Sequence, residues 1–153
     1  MSLFANEREA NLLSTVAMVE DVLIEFGHFV NECRRDRVGS AHAWAFQKGS
    51  ATIAIDLVEH PASWRLRVSA IVMTTNDTVD KLGLYEQLLT LNAVEVTGAA
   101  FAIQGSEVLL LSERNTIDLD RSEVRDLVLI VRTFADEYDD KLVDQYGGVL
   151  GTI

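Results

Sequence analysis

Residues 42–74 read HAWAFQKGSATIAIDLVEHPASWRLRVSAIVMT, three strand patterns separated by two turn signals. In the first, 42–47, Trp44 and Phe46 alternate with alanines, the period of two that gives a strand distinct faces. Lys48-Gly49-Ser50 is a tight hairpin turn. The second pattern, 51–59, sets Ile53, Ile55 and Leu57 on one face. His60-Pro61-Ala62-Ser63 turns the chain again, and Pro61 has no amide proton to give to a central ladder. In the third, 64–74, Trp64, Leu66, Val68, Ala70 and Val72 alternate with Arg65, Arg67 and Ser69. One face is buried and the other is polar through its first half, the habit of an antiparallel sheet.

Upstream, Leu12, Val16, Val19, Leu23, Phe26 and Val30 step by four and three, which predicts one long amphipathic helix over 6–33 with a weak point at Gly27. Downstream, Asn76-Asp77-Thr78 breaks the strand pattern, and a short helix is expected over 81–92. It ends at Asn92, a residue that tolerates the left-handed backbone of helix exits. Two more strands follow at 98–103 and 107–112, joined by Gln104-Gly105-Ser106. Asp120 and Glu123 have the spacing of a capping box. They open a last helix that runs to about Tyr146, with Val124, Leu127, Val128, Val131, Phe134, Ala135, Tyr138 and Leu142 on its apolar stripe. Gly147-Gly148 stops it, and residues 147–153 are expected to fray. The order α-β-β-β-α-β-β-α, dominated by hairpins, predicts the α+β class. The expected architecture is one domain over 1–153, with its core in 6–146: a mostly antiparallel five-stranded sheet flanked by helices.

The helix at 81–92, KLGLYEQLLTLN, is apolar on two sides. At about 100° per residue, Leu82, Tyr85 and Leu89 form one stripe, and Leu84, Leu88 and Leu91 form another roughly half a turn away. A surface helix needs one apolar stripe to face its own core. The surplus stripe predicts a partner, and a symmetric homodimer is the simplest one. Leu84, Leu88 and Leu91 are assigned to that dimer interface, because Tyr85 can bury its ring while its hydroxyl reaches an edge.

Composition narrows the function. The 153 residues carry 13 Lys plus Arg against 24 Asp plus Glu, a formal charge of −11. That field repels phosphate backbones and anionic lipid surfaces, so neither a nucleic acid nor a membrane is an expected partner. Basic flanks on a protein partner would be favoured. Cys33 is the only cysteine, which excludes an internal disulfide and fits a reducing compartment. No basic-then-apolar leader and no membrane-length apolar run is visible, so the expected location is the cytoplasm.

No constellation nominates chemistry. His28, His42 and His60 lie at no metal-ligand spacing with each other or with Cys33. Arginines 34, 35 and 37 flank Cys33 and would lower a thiol pKa, but no sequence motif joins it to a base. Asp136-Glu137-Tyr138-Asp139-Asp140 is the densest acid run; on a helix its carboxylates spread around the axis as a solvated face. No catalytic, cofactor or metal residue is therefore assigned, no cofactor is expected, and the chain is read as a non-enzyme. Trp44, Phe46 and Trp64 on neighbouring strands are read as sheet core, or else as a partly exposed aromatic patch for a peptide partner.

From Leu84 to Leu142 the chain resembles the YbjN and Tir-chaperone-like family, which has the type III secretion chaperone fold. The resemblance lies in Leu91-Asn92 at a helix end, then Phe101, Ile103, Val108 and Leu110 in a hairpin. Asp118, Glu123 and Val124 follow at a helix entry, and Ala135, Asp136 and Leu142 in the last helix. Arg121-Ser122 between Asp120 and Glu123 departs slightly from the family spacing. Residues before 84 agree in element order only. The resemblance implies a small homodimeric, non-enzymatic protein that binds a segment of another protein, in a chaperone-like or regulatory role. It also implies a middle helix that contributes to dimerisation. The rival expectation is a small-molecule-binding sensory regulator, with its ligand between helix and sheet.

Overall fold

A computed structural model describes residues 3–151 of the chain. Helix α1 (Leu3–Glu25) leads through a one-turn helix α2 (Val30–Cys33) and a two-residue strand β1 (Arg34–Arg35) into three long strands. These are β2 (Ser40–Lys48), β3 (Ala51–His60) and β4 (Ser63–Thr74). Helix α3 (Lys81–Val94), strands β5 (Ala100–Gln104) and β6 (Glu107–Asn115), helix α4 (Arg121–Tyr146) and a two-residue strand β7 (Val149–Leu150) complete it. The class is α+β, with an antiparallel sheet in the order β1-β2-β3-β4-β6-β5; β7 pairs with β4 off this path. The five expected strands are joined by two short ones, which carry no periodicity of their own.

The expected 6–33 helix is shorter. It ends at Glu25, where the amide of Gly27 bonds to the carbonyl of Ile24 and that of His28 to the carbonyl of Leu23. Gly27 takes a left-handed φ of 84°. This paired bonding closes a helix with a glycine just past its end. The apolar stripe continues through Phe26 and Val30, so hydrophobic spacing alone concealed the stop. Phe26 is held between cations, with the guanidinium of Arg132 3.9 Å and that of Arg125 5.7 Å from its ring centre. Glu25 accepts hydrogen bonds from Arg121 and Arg125, which tie α1 to α4 and hold its carboxyl below the usual range.

Register puts Trp44, Phe46, Ile53, Ile55, Leu57, Leu66, Val68, Ala70, Phe101 and Leu110 on one sheet face. All are buried and belong to one core with the inner stripes of α1, α3 and α4. Trp44 and Phe46 are thus core, and of the expected aromatic patch only Trp64 is half-exposed, under the guanidinium of Arg8. The opposite face is polar at Arg65 and Arg67, both bonded to Glu113. At α4 the capping box is present in full: Asp120 accepts from the Glu123 amide and Glu123 accepts from that of Asp120.

Residues 147–151, expected to fray, instead form a bend and a short strand. Gly147 ends α4 with a φ of 83°, and β7 pairs Leu150 with Met73 and Val149 with Thr74. Thr152 and Ile153, the last two residues of the expected frayed tail, lie outside the described residues.

Candidate interaction surface

Helix α3 starts where the Asp80 carboxylate accepts from the Gly83 amide. Its two apolar stripes divide in the reverse of the expected sense. Leu84, Leu88 and Leu91, assigned above to a partner, are only 0%, 3% and 4% exposed and face the protomer's own core. Leu82 and Leu89 are 79% and 69% exposed, and Tyr85 is half-buried between the two faces. The reason is steric and chemical. Three leucines at i, i+4 and i+7 join the core with Val79, Val96 and Phe101. Leaving Tyr85 at the margin keeps its hydroxyl from needing a buried partner.

Asn92 has a role that its sequence position does not suggest. It is not the helix exit, since α3 continues to Val94. Its side-chain carbonyl accepts from the Phe101 amide at 2.7 Å, and its amide donates to the Phe101 carbonyl at 3.2 Å. The side chain thereby takes the place of a neighbouring strand at one outward-facing position of β5, an edge strand. By the alternation of an antiparallel ladder, Ile103 is the next residue whose peptide groups point away from β6. Between this edge and α3 lies an apolar groove of about 280 Å³, lined by Tyr85, Leu88, Leu89, Phe101, Ala102 and Ile103. An exposed helix stripe, an apolar groove and a partly capped sheet edge are therefore contiguous.

A second surplus lies on α1, where Leu13, Ala17 and Ile24 share one outward stripe and are exposed. Phe29, in the turn after α1, is 74% exposed. Both surfaces are of the kind that marks contact with another macromolecule.

Elsewhere the chemistry is quiet. Burial pushes the Cys33 thiol up, against the lowering influence of Arg35, so the flanking arginines do not activate it. His28 packs on Phe46 at 4.4 Å between ring centres, and burial lowers its pKa. Among the described residues, no group of three His, Cys, Asp or Glu side chains converges as a metal set. No described helix is long and apolar enough to cross a membrane. The acid run is not wholly a solvated face: Asp139 is buried and accepts from the Ser50 hydroxyl at 2.7 Å.

The family model described as "T3SS (YopN, CesT) and YbjN peptide-binding chaperone 1" matches residues 14–151. The chain belongs to this family. Its peptide-binding description fits a surface with spare apolar stripes better than it fits a catalytic cleft. No curated protein matches in sequence. Among solved structures, a chain of the ExsC-ExsE complex is similar at 13% identity and a TM-score of 0.56, over 93% of this chain and 97% of that one. A chain of the HopA1-SchA chaperone–effector complex is similar at 10% identity and 0.57, over 86% and 97%. A chain of the heterodimeric ExoU-SpcU complex, from the type III secretion system of Pseudomonas aeruginosa, gives 16% and 0.52 over 83% and 96%. At these identities the likeness is one of fold.

Proposed function

We propose that the chain is a non-enzymatic peptide-binding chaperone or regulator that works as a homodimer and captures a segment of a client protein. The observation that carries this reading is the outward stripe Leu82–Leu89 of α3 beside the Ile103 groove. In a two-fold dimer this face meets its own copy, which buries both leucines and the open end of β5. The outward stripe of α1 and Phe29 then stay free for the client, which binds through apolar anchors. With a net charge of −11, clients with basic flanks associate faster and more tightly.

The test is sedimentation equilibrium of the wild type and of Leu89→Glu, followed by mass spectrometry of what co-purifies with each from native cytosol. A dimer that becomes a folded monomer, with a stoichiometric protein bound to the wild type, supports the reading. A wild-type monomer would refute the interface. A co-purifying small molecule in place of a protein would favour a sensory regulator.

A further inference from the structure

Strand β3 stops short of covering β4. Its pairing with β4 begins at Ile53 opposite Ala70, so the edge of β4 beyond Ala70 has no neighbour from β3. The chain's own C-terminal segment fills that place, with Leu150 opposite Met73 and Val149 opposite Thr74. Two features make this a fitted occupant. A Cβ on Gly148 would come within 2.4 Å of the Thr74 carbonyl oxygen, and one on Gly151 within 1.9 Å of the Ile71 carbonyl oxygen. Glycines spaced by three thus let the segment approach the β4 backbone more closely than any other residue could.

Two further features make it a weakly held occupant. Val149 and Leu150 are both exposed, so few side-chain contacts retain the strand. Gly147 and Gly148 both have positive φ and form a hinge directly after α4, whose last turns are packed in the core through Leu142. Release of the segment therefore ends at the hinge and leaves the core intact.

The geometry points to the β4 edge at 71–74 as a strand-accepting site for a segment of pattern Gly–apolar–apolar–Gly, whose two apolar residues pair with β4 and which the chain's own residues 148–151 occupy at rest. An incoming strand adds to β4 by main-chain hydrogen bonds, and the two carbonyl contacts, which leave no room for a Cβ, require glycine at its outer positions. The identification of the incoming strand with a client segment rests on the peptide-binding reading above. In the resting chain the tail competes with it, and the apparent affinity falls with the fraction of molecules whose slot is open.

The probe is a fluorescent peptide of residues 147–153, GGVLGTI, added to the full chain and to a full-length Gly151→Val variant whose own tail no longer fits. The expected result is saturable binding on the order of tenfold or more tighter to the variant, and none by a peptide carrying the same Gly→Val change. In the wild type, the amides of Val149 and Leu150 should exchange with solvent about a hundredfold faster than those of Ile55 and Val68. Exchange as slow as in the central strands, a Gly151→Val chain that fails to fold, or equal peptide binding by both chains would overturn the proposal and leave β7 a fixed strap. Because the probe is the chain's own tail, a failure here leaves the client co-purification result standing, and the reverse also holds.

Discussion

Helices α3 and α4 contribute to the same core, yet α4 leaves no apolar residue exposed and α3 does. On α4, Val124, Leu127, Val128, Val131, Ala135, Tyr138 and Leu142 are buried, and the outward positions are mostly charged. On α3, Leu84, Leu88 and Leu91 do the equivalent work, while Leu82 and Leu89 stay in water. Folding of the protomer explains every apolar residue of that α4 stripe and only half of those on α3. The unexplained half is where a function based on binding has to be sought, because an exposed large apolar stripe brings the isolated protomer no stability.

Two neighbouring leucines break the comparison most sharply. Leu88→Glu places an unpaired carboxylate in the core, at a cost of about 3–5 kcal/mol. That is comparable to the whole stability of many domains, so the expected outcome is loss of the cooperative transition in circular dichroism. Leu89→Glu is expected to change protomer stability by less than about 0.5 kcal/mol. Its effect should appear instead as a halved mass in sedimentation equilibrium. If Leu89→Glu unfolds the chain while Leu88→Glu only dissociates it, the two stripes have been assigned the wrong way round.

The junction between α3 and β5 gives a smaller effect. Asn92→Ala leaves the Phe101 amide and carbonyl without their side-chain partner, at about 1–3 kcal/mol. A fall of a few degrees in the melting temperature is expected on that scale. Asn92→Asp sharpens the point: a carboxylate still accepts from the Phe101 amide but cannot donate to its carbonyl, so its loss should be intermediate if both bonds matter. On α4 the matching end-group change is Asp120→Ala, which removes the capping box at about 1 kcal/mol and should leave the mass in sedimentation equilibrium unchanged.

The same contrast sets what could be read from the sequence. Helix α4 was legible from cap to stop because a single stripe and a capping box agree. The β2–β3–β4 meander was legible because Trp44, Ile53, Ile55, Leu66 and Val68 keep a strict period of two between turn signals. The break at Gly27 was hidden because Leu23, Phe26 and Val30 keep helical spacing across it, and only the glycine itself marked the stop. On α3 the presence of two stripes was legible but their assignment was not, since each is apolar enough to face a core. What decides it is contact with Val96 and Phe101, which lie further along the chain. Asn92 read as a helix exit because side-chain bonding to an edge strand leaves no local pattern. Strand β7 was missed because two residues have no period; the spacing of Gly148 and Gly151 was its one trace.

The smallest effect lies where the two helices touch. The Tyr138 hydroxyl on α4 donates to the carboxylate of Glu95 at the end of α3, and the ring stands edge-on to Phe101 at 5.7 Å. Burial and the neighbouring Glu95 carboxylate push the Tyr138 pKa up from 10 to about 12. A pKa raised in the folded state means that the folded chain holds this proton more tightly than the unfolded one. The stabilisation is therefore complete below pH 10 and is lost as pH rises from 10 toward 12. Absorbance at tyrosinate wavelengths should show Tyr138 titrating late, with alkaline unfolding following it. Glu95→Gln removes the charge but keeps an acceptor for the hydroxyl. It should bring the late tyrosine down toward 10 with little change in stability at neutral pH. A late titration unchanged in Glu95→Gln would assign the shift to burial alone and reduce the α3–α4 tie to packing.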